Sequence, residues 1–250
     1  MDNYSNLIEK LNNLSLDGFS MILEDVIKKV NNNDLGFYEA LNQLVDNQIK
    51  VKKEKVYAAG IKVSHFPFIK TIDDFDFSFQ PSISKTQIKD FCSLRFMENN
   101  ENIIFIGTPG TGKTHLATAI GLEATRNSKL TYFITCKELT NQLKRARSEN
   151  TLDRRLKHFY SYSLLIIDEL GHDILDEESA ADLFQLIQMR YERHPTIITT
   201  NYNISQWHTI FKNNKIALDA MLDRLLHHSS IVTINGPSYR LKEVSEYLID

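Results

Sequence analysis

From about residue 86 onward, the chain alternates short, wholly apolar runs with longer stretches whose apolar residues recur every three or four positions. Residues 103–106, 130–135, 164–167, 196–200 and 231–234 are the short runs, and their length and β-rich composition predict strands. Residues 113–127 read as a helix. So do residues 177–193, with Ala180, Leu183, Phe184, Ile187 and Tyr191 on one stripe. Strands apolar on both faces of the pleat, separated by helices, predict an α/β fold with a parallel sheet covered on both sides.

The first 70 residues show no strand pattern. Met21, Ile22, Val26 and Val30 suggest one helix; Phe37, Tyr38, Leu41, Leu44, Val45 and Ile49 suggest a second, with Asp34 as its N-cap. The expected organisation is a small all-helical N-terminal domain, residues 1–70, followed by an α/β domain, residues 71–250. Between them Phe75, Phe77 and Phe79 alternate with polar residues, which predicts an extended strap with three rings on one side. Exposed aromatic rows are rare, so the strap is expected to pack on its own domain rather than on a neighbouring subunit.

Composition narrows the class without naming a function. The 250 residues are 42% hydrophobic and 24% charged, which excludes a disordered or collagen-like chain. Cys92 and Cys136 stand far apart and outside any Cys/His cluster, so neither a disulfide framework nor a structural zinc site is expected. No secretory leader and no apolar run long enough to span a bilayer are visible, and a cytoplasmic location is expected. Twenty-nine basic residues against 32 acidic ones give a net charge of −3, which by itself argues against a nucleic-acid partner.

The chemistry concentrates at strand ends. Gly107, Thr108, Pro109, Gly110, Thr111, Gly112, Lys113 and Thr114 match G-x-x-x-x-G-K-[ST] in full, between a predicted strand and a predicted helix. Such a loop binds phosphate oxygens through backbone N–H groups, aided by the dipole of the following helix. With His115 these residues form the candidate ATP-binding set. Lys113 supplies charge to the β- and γ-phosphates, and Thr114 a hydroxyl to Mg²⁺.

Fifty-five residues after Lys113, the run Leu164-Leu-Ile-Ile ends in Asp168 and Glu169. Carboxylates at a core edge are costly without a cation, so Asp168 is the second candidate Mg²⁺ residue and Glu169 the candidate general base. A third run, residues 196–200, ends in hydroxyls followed by Asn201, a candidate contact to the attacking water or the γ-phosphate. Arg224 and Arg240 have the chemistry to stabilise phosphate charge, but spacing alone assigns neither. His227 and His228, adjacent on a predicted helix, point in different directions and are expected to serve in capping or at an interface.

Together these residues resemble an AAA+ ATPase of the initiator and helicase-loader branch, most closely the IstB-like helper ATPases of insertion sequences. The carrying segments are FDFSFQPSI from Phe75, ENIIFIGTPGTGKTHLA from Glu101, LLIIDELG from Leu164, LFQLIQMRYE from Leu183, LDRLLHH from Leu222 and GPSYRLK from Gly236. The resemblance implies a five-stranded parallel sheet in which the strand before Asn201 lies between the P-loop and acidic strands. It implies that Asn201 is sensor I, Arg240 sensor II, and Arg224 an arginine finger acting on the adjacent subunit's ATP in a homo-oligomer. Only ten residues follow Arg240, so the lid is expected to be a single helix from Tyr239 to about Leu248. The implied activity is Mg²⁺-dependent ATP hydrolysis on DNA, in the service of a transposase. A replicative helicase loader of the DnaC or DnaI type is the alternative. A passive ATP-gated adaptor is disfavoured by the intact Asp168 and Glu169.

Residues 137–158 carry seven basic side chains against three acidic ones, a local charge of +4. Lys144, Arg145, Arg147, Arg154, Arg155 and Lys157 are the candidate DNA contacts. A solvated helix face is the competing reading, and the resemblance favours non-specific contact with double-stranded DNA. Lys50, Lys52, Lys53 and Lys55 form a second basic patch that suits a protein partner equally well.

Overall fold

The computed structural model describes residues 3–211 and 215–241, except the side chains of residues 215–217. It divides into two compact units between Ala59 and Gly60.

The first unit is helical. It contains α1 (Asn3–Asn13), α2 (Asp17–Asn31) and most of α3 (Phe37–Ser64). Leu23, Val26, Ala40 and Leu44 form its buried centre, with Ile8, Leu11 and Phe19 packed around them. Gly18 lets α2 and α3 approach closely: a Cβ there would lie 2.5 Å from the Gln48 Cα. Gln48 and Asn47 then bond the Gly18 amide and carbonyl at 2.8 and 2.6 Å. Asp34 does not cap α3. The chain turns at Gly36, whose N–H donates to the Glu39 carboxylate at 2.9 Å, so an acid inside the first turn reaches back instead. In the second basic patch, Lys55 is paired with Asp17.

The second unit is the α/β unit. α4 (Lys85–Cys92) and α5 (Arg95–Glu98) precede β1 (Asn102–Gly107), α6 (Lys113–Arg126), β2 (Thr131–Thr135), α7 (Cys136–Ser148), α8 (Leu152–Tyr160), β3 (Leu164–Leu170), α9 (Glu177–Arg190), β4 (Thr196–Thr200), α10 (Trp207–Ile210), α11 (Lys215–His227) and β5 (Ser229–Ile234). The five strands are parallel in the order β2-β3-β4-β1-β5. β4 thus pairs with both β1 and β3, the order that the resemblance implied.

The apolar runs are continuous because both faces are buried. From β1, Ile104 and Ile106 enter one core layer while Ile103 and Phe105 enter the other. From β3, Leu165 and Ile167 part from Leu164 and Ile166 in the same way. Burying each such side chain contributes about 2 kcal/mol.

The aromatic strap is not extended. The Asp74 carboxylate accepts from the Thr71 N–H and hydroxyl at 2.7 and 2.8 Å. Asp76 accepts from the Ser78 N–H and hydroxyl at 3.0 and 2.5 Å and from the Phe79 N–H at 3.2 Å. These aspartates, alternating with the phenylalanines, fold the segment into successive turns and override the period-two reading. Phe75 and Phe77 pack on the core beside α6, and Phe79 meets Tyr239 edge-on at 5.3 Å.

His227 and His228 tie α11 to the turn after α9. His227 Nδ1 lies 3.3 Å from the Tyr191 hydroxyl, and His228 Nε2 lies 3.1 Å from Glu192. A helix begins at Tyr239, but the single-helix lid expected to about Leu248 lies outside the described residues beyond residue 241. No helix among the described residues is long and apolar enough to cross a membrane.

Candidate functional site

A cavity of about 370 Å³ opens at the C-terminal ends of β1, β3 and β4, where parallel α/β sheets place ligands. Its floor is the 107–114 loop. Gly110 and Gly112 sit at φ +81° and +94°, a region costly to residues with a Cβ. Space makes the same demand. A Cβ on Gly110 would strike the Ser238 hydroxyl, and one on Gly112 would come 2.5 Å from the Phe75 ring. Tyr239 N–H donates to Gly110 O at 2.9 Å, so the segment after β5 is fastened over the loop.

Lys113 is 8% exposed. Its ammonium donates to the carbonyls of Gly107 and Thr108, both at 2.8 Å. Burial pushes its pKa down to about 8, so phosphate oxygens brought to this loop would relieve a real desolvation cost.

The acidic pair divides its tasks. Asp168 is 4% exposed. It accepts from Thr114 Oγ1 at 3.0 and 3.2 Å and from Thr199 Oγ1 at 2.5 Å. Among the described residues its partners are therefore hydroxyls rather than a cation, and burial raises its pKa despite them. A dehydrated carboxylate beside the P-loop hydroxyl is the donor set a hard divalent cation takes, so Thr114 and Asp168 fit Mg²⁺. Glu169 is exposed and lines the cavity. Its backbone stands at φ +60°, costing about 1 kcal/mol or more. The β3–β4 register shifts between Ile167 and Leu170, and this bulge turns the Glu169 side chain out of the pleat.

The cavity brings together residues 109–115, Glu169, Asn201 and Arg240, with Thr199 between the acids. Arg224 is not among its lining. It sits on α11 with its guanidinium 5.6 Å above the Phe184 ring and Nη1 donating to Ala220 O at 3.0 Å. It borders a small hollow with Asn102 and Thr196, at the opposite, N-terminal ends of β1 and β4.

Sequence reasoning missed the strap's part in the site. Phe68, Lys70, Asp74, Phe75, Asp76 and Gln80 line one wall. His115 fixes that wall. Its Nε2 lies 2.8 Å from Thr71 O, its ring sits edge-on to Phe68 and Phe75, and burial holds its pKa below the usual histidine value. The available signal was the aspartates interleaved in the strap, which are turn formers rather than strand residues.

The six candidate DNA contacts behave differently from one another. Lys144 is paired with Asp176 at 2.8 Å and Arg145 with Glu149 at 2.8 Å. Arg147 is paired with Asp182, whose side chain is 1% exposed. Arg155 lies 5.7 Å above the Phe159 ring, while Arg154 and Lys157 are exposed on α8. Arg145, Arg154 and Arg155 line a groove of about 610 Å³ between α7 and α8, together with Glu138, Glu149 and His158. The local +4 is thus partly spent on the chain's own acids.

Comparison with known proteins decides the family. Residues 9–247 match the profile described as IstB-like ATP binding protein. The chain belongs to the IstB-like ATP-binding family. Within it, the chain is 48% identical over 242 residues to the ATP-binding protein named for insertion sequence IS232 of Bacillus thuringiensis subsp. berliner, covering 97% of this chain and 96% of that one. It is 34% identical over 233 residues to the protein named likewise for IS21 of Pseudomonas aeruginosa, covering 93% and 88%. Among solved structures, the IstB-like chain shares the AAA+ P-loop fold of DnaI (TM-score 0.56, 19% identity, 66% of this chain and 90% of that one) and of DnaA from Aquifex aeolicus (TM-score 0.58, 17% identity, 74% and 56%).

Proposed function

We propose that this IstB-like chain is an ATP-hydrolysing helper of transposition, which assembles on DNA in its ATP-bound form and engages a transposase. The observation that carries the reading is the convergence of P-loop residues 109–115, Glu169, Asn201 and Arg240 on one cavity, with Asp168 bonded to Thr114 behind it. The family's insertion-sequence relatives support the transposition context.

In this reading the 107–114 backbone and Lys113 bind the triphosphate. Thr114 and Asp168 would hold Mg²⁺, which would supply charge neutralisation at the phosphates. Glu169, exposed in the cavity and turned out by its bulge, accepts the proton of the attacking water. Asn201 orients that water from just past the end of β4, and Arg240 draws charge from the γ-phosphate. Arg224, at the other end of the sheet, serves the ATP of a neighbouring copy, which makes turnover conditional on assembly. Such head-to-tail contacts build rings or filaments. The groove between α7 and α8 takes DNA phosphates, the N-terminal helical domain, residues 1–70, serves partner contacts, and residues 71–250 form the ATPase domain.

The test is phosphate release with and without double-stranded DNA, followed by capture of the transposase encoded with the same element. Glu169→Gln is expected to keep ATP and DNA binding and to lose turnover. Arg224→Ala is expected to lose DNA-stimulated turnover with ATP affinity intact. Turnover that survives Glu169→Gln, or that is undiminished in Arg224→Ala at high dilution, would remove the corresponding role. Capture of a replicative helicase on single strands in place of the transposase would overturn the transposition reading.

A further inference from the structure

Thr199 lies on β4, two residues before Asn201, and is fully buried. Its hydroxyl uses its hydrogen and a lone pair on two consecutive residues of the neighbouring strand. It donates to Asp168 Oδ1 at 2.5 Å and accepts from the Glu169 N–H at 2.9 Å. The two bonds are complementary: a hydroxyl whose hydrogen is committed to the carboxylate has only acceptor capacity left for the amide.

The second bond falls on a special amide. Glu169 holds a left-handed backbone at φ +60° where the β3–β4 ladder breaks, between Ile167 and Leu170. Regular pairing cannot satisfy that N–H, and the Thr199 side chain takes the place of the missing ladder bond. The next threonine marks the limit of the irregularity, since Thr200 Oγ1 donates to Leu170 O at 2.7 Å. Two adjacent hydroxyls of β4 thus clamp the bulge of β3 from both sides.

We propose that Thr199 is a positioning residue that fixes both acids with one hydroxyl, holding the Asp168 carboxylate where Mg²⁺ binds and the Glu169 backbone in the turn that aims its side chain into the cavity. This rests on the ATPase reading given above. Its specific content is a coupling: loss of the hydroxyl impairs the Mg²⁺ requirement and the turnover step together, while metal-free nucleotide binding, made by the P-loop and Lys113, is spared.

The experiment compares wild type, Thr199→Ser, Thr199→Val and Thr199→Cys. The readouts are melting temperature, affinity for a fluorescent ATP analogue in EDTA and in Mg²⁺, and Mg²⁺-dependent turnover. Thr199→Val is expected to raise the Mg²⁺ concentration for half-maximal turnover about tenfold, and to remove most of the Mg²⁺-dependent gain in analogue affinity. EDTA affinity stays within about twofold of wild type, and Thr199→Ser restores both Mg²⁺ readouts. Thr199→Cys, whose thiol is a weak donor, shares the valine defect and decides the matter should valine fail to fold.

The idea is overturned if Val and Cys keep the wild-type Mg²⁺ midpoint and turnover. It is equally overturned if Ser fails to rescue, or if EDTA affinity falls in step with Mg²⁺ affinity, which would mark a merely structural role. A wild-type protein without Mg²⁺-dependent ATP binding or turnover would instead sink the ATPase reading itself, so the two failures are distinguishable.

Discussion

The Thr114 hydroxyl donates to both carboxylate oxygens of Asp168, at 3.0 and 3.2 Å, across 54 residues of sequence. This bond joins the first turn of α6 to the end of β3, and it places the two candidate Mg²⁺ residues in contact. Asp168→Asn keeps the size and polarity of the side chain but removes the charge that would hold a divalent cation. Turnover is expected to fall at least about a hundredfold, because the metal's share of transition-state stabilisation is several kcal/mol. Analogue affinity in EDTA should change by less than about threefold, since the loop backbone and Lys113 are untouched. Phosphate release and fluorescence titration check the two halves separately.

A pH dependence follows from Lys113. Burial lowers its pKa to about 8, against 10.5 for a free lysine. Between those values the unfolded chain holds a proton that the folded, ligand-free protein has lost. Stability contributed through this group therefore rises with pH from about 8 to about 10.5. Nucleotide binding runs the other way. Phosphate favours the ammonium, so above pH 8 binding must take up a proton, and affinity is expected to fall by up to about tenfold per pH unit. Titrations in EDTA from pH 7 to pH 9.5 measure this, and Lys113→Met should bind weakly with a flat profile over the same range.

Much of this site was legible in the sequence because its parts are local. The P-loop carries its own glycines, lysine and threonine within eight residues, and the acids close a run whose four apolar residues announce a buried strand. What was not legible depends on which strands become neighbours. Thr199 reads as one threonine among three until β4 is laid beside β3, when it alone faces Asp168 and the Glu169 amide. The strap misled because the period of its phenylalanines is a strand signal, whereas its intervening aspartates dictate turns through bonds to their own backbone. The basic stretch misled in degree. Charge counting along α7 and α8 cannot reveal that Asp176 and Asp182 of the α9 region will claim Lys144 and Arg147.

That pairing separates stability from DNA binding. Asp182 is 1% exposed and depends on Arg147, which bonds it through Nε at 3.2 Å as well as through the guanidinium terminus. Arg147→Ala leaves a buried carboxylate unpaired. With Arg147 itself 42% exposed, water can reach the gap, and a loss of about 1–2 kcal/mol is expected. Arg154→Ala with Lys157→Ala should instead leave the melting temperature within about 2 °C and weaken double-stranded DNA binding, with the dependence of log affinity on log salt falling by roughly two contacts. Anisotropy titrations at several salt concentrations, beside thermal melts, distinguish the two classes.

Arg190 makes the strongest demand on the fold away from the cavity. It is 2% exposed, and among the described residues it is met by carbonyls and one threonine hydroxyl, not by a carboxylate. Nη1 donates to Phe159 O and Tyr162 O at 2.9 Å and to Tyr160 O at 3.2 Å. Nη2 donates to Pro195 O at 2.6 Å, and Nε to Thr196 Oγ1 at 3.0 Å. Burial lowers its pKa to about 9, so it stays charged at neutral pH. One planar group thereby gathers the end of α8, the approach to β3 and the start of β4, where Pro195 O also accepts from the Leu165 N–H at 3.4 Å. Lysine would keep the charge but not the fork, leaving several of these carbonyls buried and unsatisfied. Arg190→Lys is expected to cost about 3 kcal/mol and to lower the melting temperature by roughly 10 °C. Affinity for ATP should stay within about twofold, because the affected strand ends lie opposite the cavity. An unchanged melting temperature would mean that solvent reaches these carbonyls, and that the guanidinium is not what holds α8 and the start of β4 together.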